Sequence, residues 1–116
     1  MGSAYGGAGL LMPLRGDDPM FHHMVMFRFK DGTDSRQIDK ITAGLATLPG
    51  EIDALVAYRF GPDVGITEGS WDYGVAGDFD TETDYSNYSS HPAHLRVIEE
   101  RIKPFIEEIA RVQFWS

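Results

Sequence analysis

The chain has 116 residues, 42% of them hydrophobic and 24% charged, with 10 Lys and Arg against 18 Asp and Glu and no cysteine. A chain of this size forms one domain that buries about two thirds of its surface. The net charge of -8 disfavours nucleic acid and anionic membranes as partners, because binding to phosphates needs clustered Lys and Arg. The apolar runs are too short to cross a bilayer and the N-terminus lacks a basic region ahead of an apolar one, so we expect a cytoplasmic domain. Without cysteine, disulfides and thiolate catalysis are excluded.

The first predicted strand begins where a glycine-rich start gives way to alternation. Residues 1–20 are rich in Gly and Pro and are predicted to be a flexible leader, which leaves residues 21–116 as the domain. From Phe21 onward, His23, Val25 and Phe27 fall on one face of a strand. Met24 and Met26 fall on the other, so both faces of this strand carry apolar side chains.

A helix and two further strands follow. Asp34 and Gln37 have the spacing of a capping box, and apolar residues at helical spacing continue to Leu48-Pro49-Gly50, where we expect the helix to end. Alternation predicts a second strand over residues 52–60 and a third over 72–80.

The last part of the chain predicts a second helical region and a closing strand. Residues 81–90 suggest one or two helical turns, and Pro92 suits the first position of a helix that starts at about His91. Pro104 should kink or end that helix. Its apolar stripe is Leu95, Ile98, Ile102 and Phe105, and a strand over residues 109–115 follows.

This order of elements is the signature of a ferredoxin-like α+β sandwich, in which both helices cover one face of a four-stranded antiparallel sheet. The other face of the sheet then has no cover within one protomer. Since both faces carry apolar residues, we expect a symmetric homodimer that pairs two sheets face to face.

Acidic residues are concentrated in one part of the chain. Residues 60–95 contain seven acids and no Lys or Arg, which is typical of a solvated surface. Weak binding of calcium or magnesium is conceivable there, although the spacing is not that of an EF-hand. The acids are Asp63, Glu68, Asp72, Asp78, Asp80, Glu82 and Asp84.

The candidate chemistry lies in Tyr88, His91 and His94, with His23 on the first strand. His94 in the first turn of a helix feels the positive end of the helix dipole, which lowers the pKa of the imidazole and leaves it neutral as a base. Tyr88 could then donate a hydrogen bond to a developing enolate or alkoxide oxygen. Capping and packing are the alternative roles for these residues, and burial with a hydrogen bond is the alternative for His23.

His91 and His94 are spaced like a pair of metal ligands. No third ligand is nearby in the sequence, so we expect no metal site. His22 is expected to face solvent.

The sequence resembles the stress-responsive A/B barrel (Dabb) family over about residues 22–115. The most specific match is Tyr88 followed by His91-Pro92-Ala93-His94. The other matching features are the opening from His23 to Lys30, Leu48-Pro49-Gly50-Glu51-Ile52, Gly61 and the strand that ends at Phe79.

This resemblance implies a ferredoxin-like homodimer with a small pocket in each protomer. The family includes a plant olivetolic acid cyclase, which needs no cofactor and performs an intramolecular aldol condensation. Its catalytic Tyr and His match Tyr88 and His94, and its pocket histidine matches His23. The other expected pocket residues are Val25, Phe27, Val75 and His91.

Two parts of the sequence depart from what the resemblance leads us to expect. The last strand has Arg111-Val112-Gln113 where many relatives have an acid, and Gly77 lies where the cyclase has a larger apolar residue.

Three hypotheses for the function stay open. The first hypothesis is a cofactor-free lyase or cyclase acting on a small hydrophobic carbonyl compound. The second is a non-enzymatic oligomeric stress-response protein, and the third is a cofactor-independent monooxygenase-like enzyme.

Overall fold

The structure, a computed structural model, describes residues 18–116. The predicted leader falls outside the described residues except for its last three. The strands are β1 (Phe21–Phe29), β2 (Ala57–Pro62), β3 (Tyr73–Phe79) and β4 (Ile106–Trp115). The helices are α1 (Ser35–Ala46), α2 (Leu48–Glu51), α3 (Glu82–Ser89) and α4 (Pro92–Val97), and a π-helical turn (Ile98–Ile102) continues α4.

The four strands form one antiparallel sheet in the order β2-β3-β1-β4. The central strand β1 places Val25 opposite Val75 of β3 on one side and opposite Arg111 of β4 on the other. This topology confirms the ferredoxin-like α+β fold predicted from the order of elements.

Helix α1 begins as its sequence predicts. The Asp34 carboxylate accepts a hydrogen bond from the Gln37 backbone N–H, and the Gln37 side chain accepts one from the Asp34 N–H, both at 2.9 Å. The predicted end is off by two residues, because α1 stops at Ala46 and Pro49 lies in the first turn of α2. Proline is tolerated there because the first N–H groups of a helix have no partner within it.

The second strand starts later than predicted. Residues 52–56 lie outside β2, although Ile52 is 2% exposed and belongs to the core. Its apolar character reflects packing at the end of α2, where its N–H donates to the Leu48 carbonyl at 2.9 Å. Alternation alone does not distinguish a side chain buried in a strand from one buried at the end of a helix.

The second helical region starts where predicted. His91 is the N-cap of α4, and its Nδ1 accepts a hydrogen bond from the Ala93 N–H at 3.0 Å. The helix then widens, and the Lys103 N–H donates to the Ile98 carbonyl at 2.8 Å just before Pro104. The predicted stripe is wrong at Leu95, which is 48% exposed.

The core lies between the helices and one face of the sheet. Its least exposed large side chains are Tyr73, Phe79, Ile41 and Leu48. On β1 the odd-numbered residues from Phe21 to Phe27 are buried, whereas Met24 is 40% and Met26 44% exposed. We call this second side of the sheet, with Met24, Met26, Val112 and Phe114, the open face. It is the uncovered apolar face that the sequence predicts.

Within residues 18–116, no helix combines the length and apolarity that crossing a membrane requires. The cytoplasmic location stays a prediction.

Candidate active site

A cavity of about 370 Å³ lies between the helices and the sheet. Its volume is at the lower end of the range of about 300 to 1,000 Å³ that is usual for ligand pockets. The sheet contributes His23, Val25, Phe27, Tyr58 and Val75 to its wall, and α3 and α4 contribute Tyr88 and His94. The fold therefore brings six of the seven predicted site residues to one place.

His91 is the predicted site residue that lies elsewhere. It does not line this cavity but a separate depression beside Asp80, Asp84 and Asn87. The N-cap position has extended backbone angles, with φ at -63° and ψ at 134°, so its side chain diverges from that of His94 in the helix. Its Nδ1 is engaged in capping α4.

Tyr88 is held by a second tyrosine that sequence analysis did not single out. The Tyr88 side chain is 2% exposed, and its hydroxyl lies 2.7 Å from the hydroxyl of Tyr58 on β2. Burial raises the pKa of Tyr88 to about 12, and burial also raises the pKa of Tyr58. Both phenols are therefore protonated at neutral pH, and the pair has one hydrogen that does not bridge the two oxygens.

Gly77 explains how Tyr58 reaches this position. The β-sheet register places Gly77 opposite both Tyr58 and His23. A Cβ atom at Gly77 would lie 3.3 Å from the Tyr58 ring and 3.3 Å from the Phe79 ring, which is tighter than an ordinary contact. The missing side chain thus makes room for the Tyr58 ring, and this glycine was the one signal in the sequence that pointed to it.

His94 is a neutral base beside Tyr88. The two rings lie with centroids 4.2 Å apart. The His94 Nδ1 lies 3.0 Å from the Ser89 carbonyl oxygen, which can only accept, so Nδ1 carries the hydrogen. Burial is the main cause that lowers the pKa of His94, with the nearby His91 adding to it. The neutral ring therefore has its lone pair on Nε2.

The predicted direction of this pKa shift agrees with the structure, but the predicted cause differs. The sequence predicts that the helix dipole keeps His94 neutral, whereas removal of the ring from water is the leading cause of its lowered pKa. The hydrogen bond to Ser89 acts in the opposite direction and raises the pKa. Desolvation prevails because it disfavours the charged form of the ring.

His23 has the opposite arrangement of its ring hydrogen. Its Nδ1 lies 2.8 Å from the amide nitrogen of Gln113, which can only donate, so the neutral ring carries its hydrogen on Nε2. Burial, then the proximity of His94 and Arg111, lowers its pKa to about 4. The cavity thus contains one neutral histidine that can accept a proton at Nε2 and one that can donate a hydrogen bond from Nε2.

The cavity opens toward β4. The lining residues are buried or half-buried except for four, which lie on α4, in the turn before β4 and on β4 itself. The exposed lining residues are Leu95, Lys103, Ile109 and Arg111. We call this set the rim.

His22 lies on the opposite side of the sheet from the cavity. Its Nδ1 is 2.8 Å from the Asp78 carboxylate and its Nε2 is 2.7 Å from the Ser116 hydroxyl. It is thus partly buried and fixed by two hydrogen bonds, rather than the solvent-facing residue that the alternation predicted.

The acidic part of the chain supports local structure. Asp72 accepts a hydrogen bond from the Phe29 N–H at 2.8 Å, and Asp63 accepts one from the Gly65 N–H at 2.9 Å. Across residues 18–116, no three His, Asp or Glu side chains are grouped so that they could hold a metal ion.

Comparison with known proteins places this fold in a family. The family model described as Stress Responsive A/B Barrel Domain (Dabb) matches residues 21–116. The chain is 25% identical over 96 residues to a stress-response A/B barrel domain-containing protein of Arabidopsis thaliana, covering 82% of this chain and 36% of that protein. It is 29% identical over 75 residues to a second stress-response A/B barrel domain-containing protein of the same plant, covering 63% of this chain and 69% of that protein. The chain therefore spans about a third of the first relative and about two thirds of the second.

Solved structures share the fold. A protein from Thermobifida fusca, described as a dimeric ferredoxin-like protein of unknown function, is 30% identical with a TM-score of 0.78, covering 88% of this chain and 95% of that one. The hydroxynitrile lyase of Passiflora edulis is 21% identical with a TM-score of 0.74, covering 86% of this chain and 95% of that one. A putative antibiotic biosynthesis monooxygenase from Chloroflexus aurantiacus is 15% identical with a TM-score of 0.65, covering 84% of this chain and 92% of that one. Since the family model spans the whole sheet and the residues around the cavity, this chain belongs to the stress-responsive A/B barrel domain (Dabb) family.

Proposed function

We propose that this protein is a cofactor-free lyase or cyclase that acts on a small, largely apolar carbonyl compound. The observation that carries the proposal is the pairing of a neutral His94 with the hydrogen-bonded Tyr88 and Tyr58 hydroxyls in one cavity. A base and hydrogen-bond donors at the same site are the groups that enolate chemistry requires.

In this proposal His94 removes the proton α to the substrate carbonyl. Its Nδ1 hydrogen bond to Ser89 fixes the ring so that Nε2 bears the lone pair. As Nε2 takes the proton, the ring becomes positively charged, and the Ser89 carbonyl stabilises that charge. The protonated ring then returns the proton to the carbon or oxygen that receives it at the end of the reaction.

The negative charge that develops on the carbonyl oxygen needs donors. The Tyr58 and Tyr88 pair has one hydroxyl hydrogen available besides the one shared between them, because both phenols are protonated. His23 has a second available hydrogen on Nε2, since Gln113 occupies its Nδ1. Such pre-arranged donors stabilise an enolate strongly in a cavity with mainly apolar walls.

The cavity supports an enzyme over the non-enzymatic hypothesis, and the choice of a lyase or cyclase over a monooxygenase-like enzyme rests on the paired His94 and tyrosine hydroxyls. A neighbour with the same fold has the name hydroxynitrile lyase, so the fold can house lyase chemistry. The non-enzymatic hypothesis predicts that no ligand-sized space lies beside Tyr88 and His94, and the cavity of about 370 Å³ weighs against it. The hydroxynitrile lyase and the monooxygenase-like neighbour, at 21% and 15% identity, are both similar to this chain in fold alone.

The test is deuterium exchange at the carbon next to a ketone. Phenylacetone is incubated with the protein in D₂O, and loss of its α-proton signals is followed by NMR. We expect the wild-type protein to accelerate the loss, and Tyr88→Phe to reduce the acceleration by about 10² to 10³-fold, because it removes a hydrogen-bond donor to the enolate oxygen. Thermal unfolding of the same variant checks that it folds. Exchange no faster with protein than in buffer would remove the support for this chemistry.

We also propose that two copies pair through the open face. Met24, Met26, Val112 and Phe114 are each 40% or more exposed, and a monomer rarely leaves so many large apolar side chains together on one surface. The Thermobifida relative is described as dimeric. Light scattering should give twice 12.9 kDa, and Met26→Lys should shift the mass toward one copy. A monomer at micromolar concentration in the wild type would contradict the pairing.

A further inference from the structure

The rim of the cavity is positively charged, whereas the chain as a whole is acidic. The protein has a net charge of -8, yet both charged residues that line the cavity are cations, Lys103 and Arg111. Among the described residues, the lining includes no Asp or Glu. An entrance with this bias attracts anions into an otherwise acidic molecule.

Arg111 is placed on the cavity side of the sheet by the strand register. It pairs with Val25 on β1, while Gln113 pairs with His23 and Ile109 with Phe27. Side chains of β4 that are two residues apart share a face. Arg111 therefore lies between Ile109 of the rim and Gln113, whose side chain donates a hydrogen bond to His23. The charge of Arg111 also contributes, after burial and His94, to the low pKa of His23.

The two cations differ in their availability. The Lys103 ammonium lies 3.1 Å from the Glu99 carboxylate, one helical turn earlier in the chain. Within residues 18–116, Arg111 has neither a salt bridge nor a side-chain hydrogen bond to a protein group. Its guanidinium is therefore the group at the rim that is ready to bind an anion from outside.

We propose that the ligand of this cavity is a carbonyl compound that also bears a carboxylate, with its apolar body against the cavity wall and its carboxylate on Arg111. This inference rests on the proposed carbonyl chemistry and names its substrate class. A planar guanidinium binds a carboxylate through two parallel hydrogen bonds, which would fix the direction in which the carbonyl group enters.

A carboxylate fits this rim better than a phosphate does. A phosphate carries more charge and three acceptor oxygens, and protein sites for it supply several donors. Here the Arg111 guanidinium has no charged partner among residues 18–116, the Lys103 ammonium is engaged by Glu99, and most of the lining is aliphatic or aromatic. A monoanion therefore matches the charge that the rim offers.

The test compares three probes by calorimetric titration: 3-benzoylpropanoate, its neutral primary amide, and phenyl phosphate. The keto acid and its amide have nearly the same shape, so their affinity ratio isolates the charge of the carboxylate. Titrations use the wild-type protein, Arg111→Gln and, as a control with the same change of charge, Arg36→Gln on the exposed side of α1.

We expect the wild-type protein to bind the keto acid roughly tenfold more tightly than the amide, a difference of about 1.4 kcal/mol. Arg111→Gln should bring this ratio close to one with the amide affinity unchanged, and Arg36→Gln should keep the wild-type ratio. The inference is overturned if neither probe binds, if the ratio survives in Arg111→Gln, or if phenyl phosphate binds more tightly than the keto acid. Binding needs no turnover, so failure of the proposed catalysis would show separately, as absent α-deuterium exchange.

Discussion

Acidification should unfold this protein partly through one buried histidine. His23 is 5% exposed, and its pKa is lowered from 6.5 to about 4 in the folded state. Between these two values the unfolded chain binds a proton at His23 that the folded chain does not. The free energy of unfolding therefore rises with pH in this window, so the contribution of His23 is complete above about pH 6.5 and is lost as the pH falls toward 4.

The size of the effect follows from the two pKa values. A difference of one pKa unit corresponds to about 1.4 kcal/mol, so lowering the pH from about 7 to about 5 should cost about 2 kcal/mol through His23 alone. For a domain whose total stability is about 5 to 15 kcal/mol, this is a large share.

The assay is urea denaturation of the wild type and of His23→Asn at both pH values. Asparagine can still accept a hydrogen bond from Gln113 but does not titrate. His94 is present in both proteins, so its own protonation on acidification contributes to the loss in each. We expect the wild type to lose about 2 kcal/mol more than His23→Asn on acidification. An equal loss in the two proteins would refute the assignment of a buried neutral ring to His23.

Three further predictions concern the cavity and the fold. Gly77→Ala should crowd Tyr58 and cost about 1 to 3 kcal/mol in chemical denaturation, and an unchanged stability would show that the ring has other room. Asp34→Ala should remove the cap of α1 and cost about 1 kcal/mol by the same method, whereas Asp34→Ser should keep most of it. Because burial lowers the pKa of His94, the rate of α-deuterium exchange should stay on its plateau as the pH falls through 6.5, and a midpoint at or above 6.5 would contradict this.

Local signals in the sequence were sufficient for most of the fold. Alternation located β1 and β3, and the Asp34 and Gln37 spacing marked the start of α1, because these patterns depend on residues close together in the chain. The start of β2 could not be placed, since alternation does not distinguish a strand residue from Ile52, which is buried at the end of α2.

The sequence predicts the site residues that lie in one short segment, but not those whose position depends on how the strands pair. Tyr88 and His94 were singled out as a possible acid and base by residue type and helix position. Tyr58 and Gln113 depend on the register of β2 and β4 against their neighbours, which the sequence does not state. The cause of the His94 pKa shift was also missed, because burial depends on the whole fold.

The most direct test of the proposed chemistry compares two histidines of the same segment in the deuterium exchange assay. His94 lines the cavity, and His91, three residues earlier, caps α4 outside it. We predict that His94→Gln lowers the protein-dependent exchange rate of phenylacetone by about 10² to 10⁴-fold and that His91→Gln, once corrected for any loss of folded protein, leaves it unchanged. Equal rates in the two variants would contradict the assignment of His94 as the base.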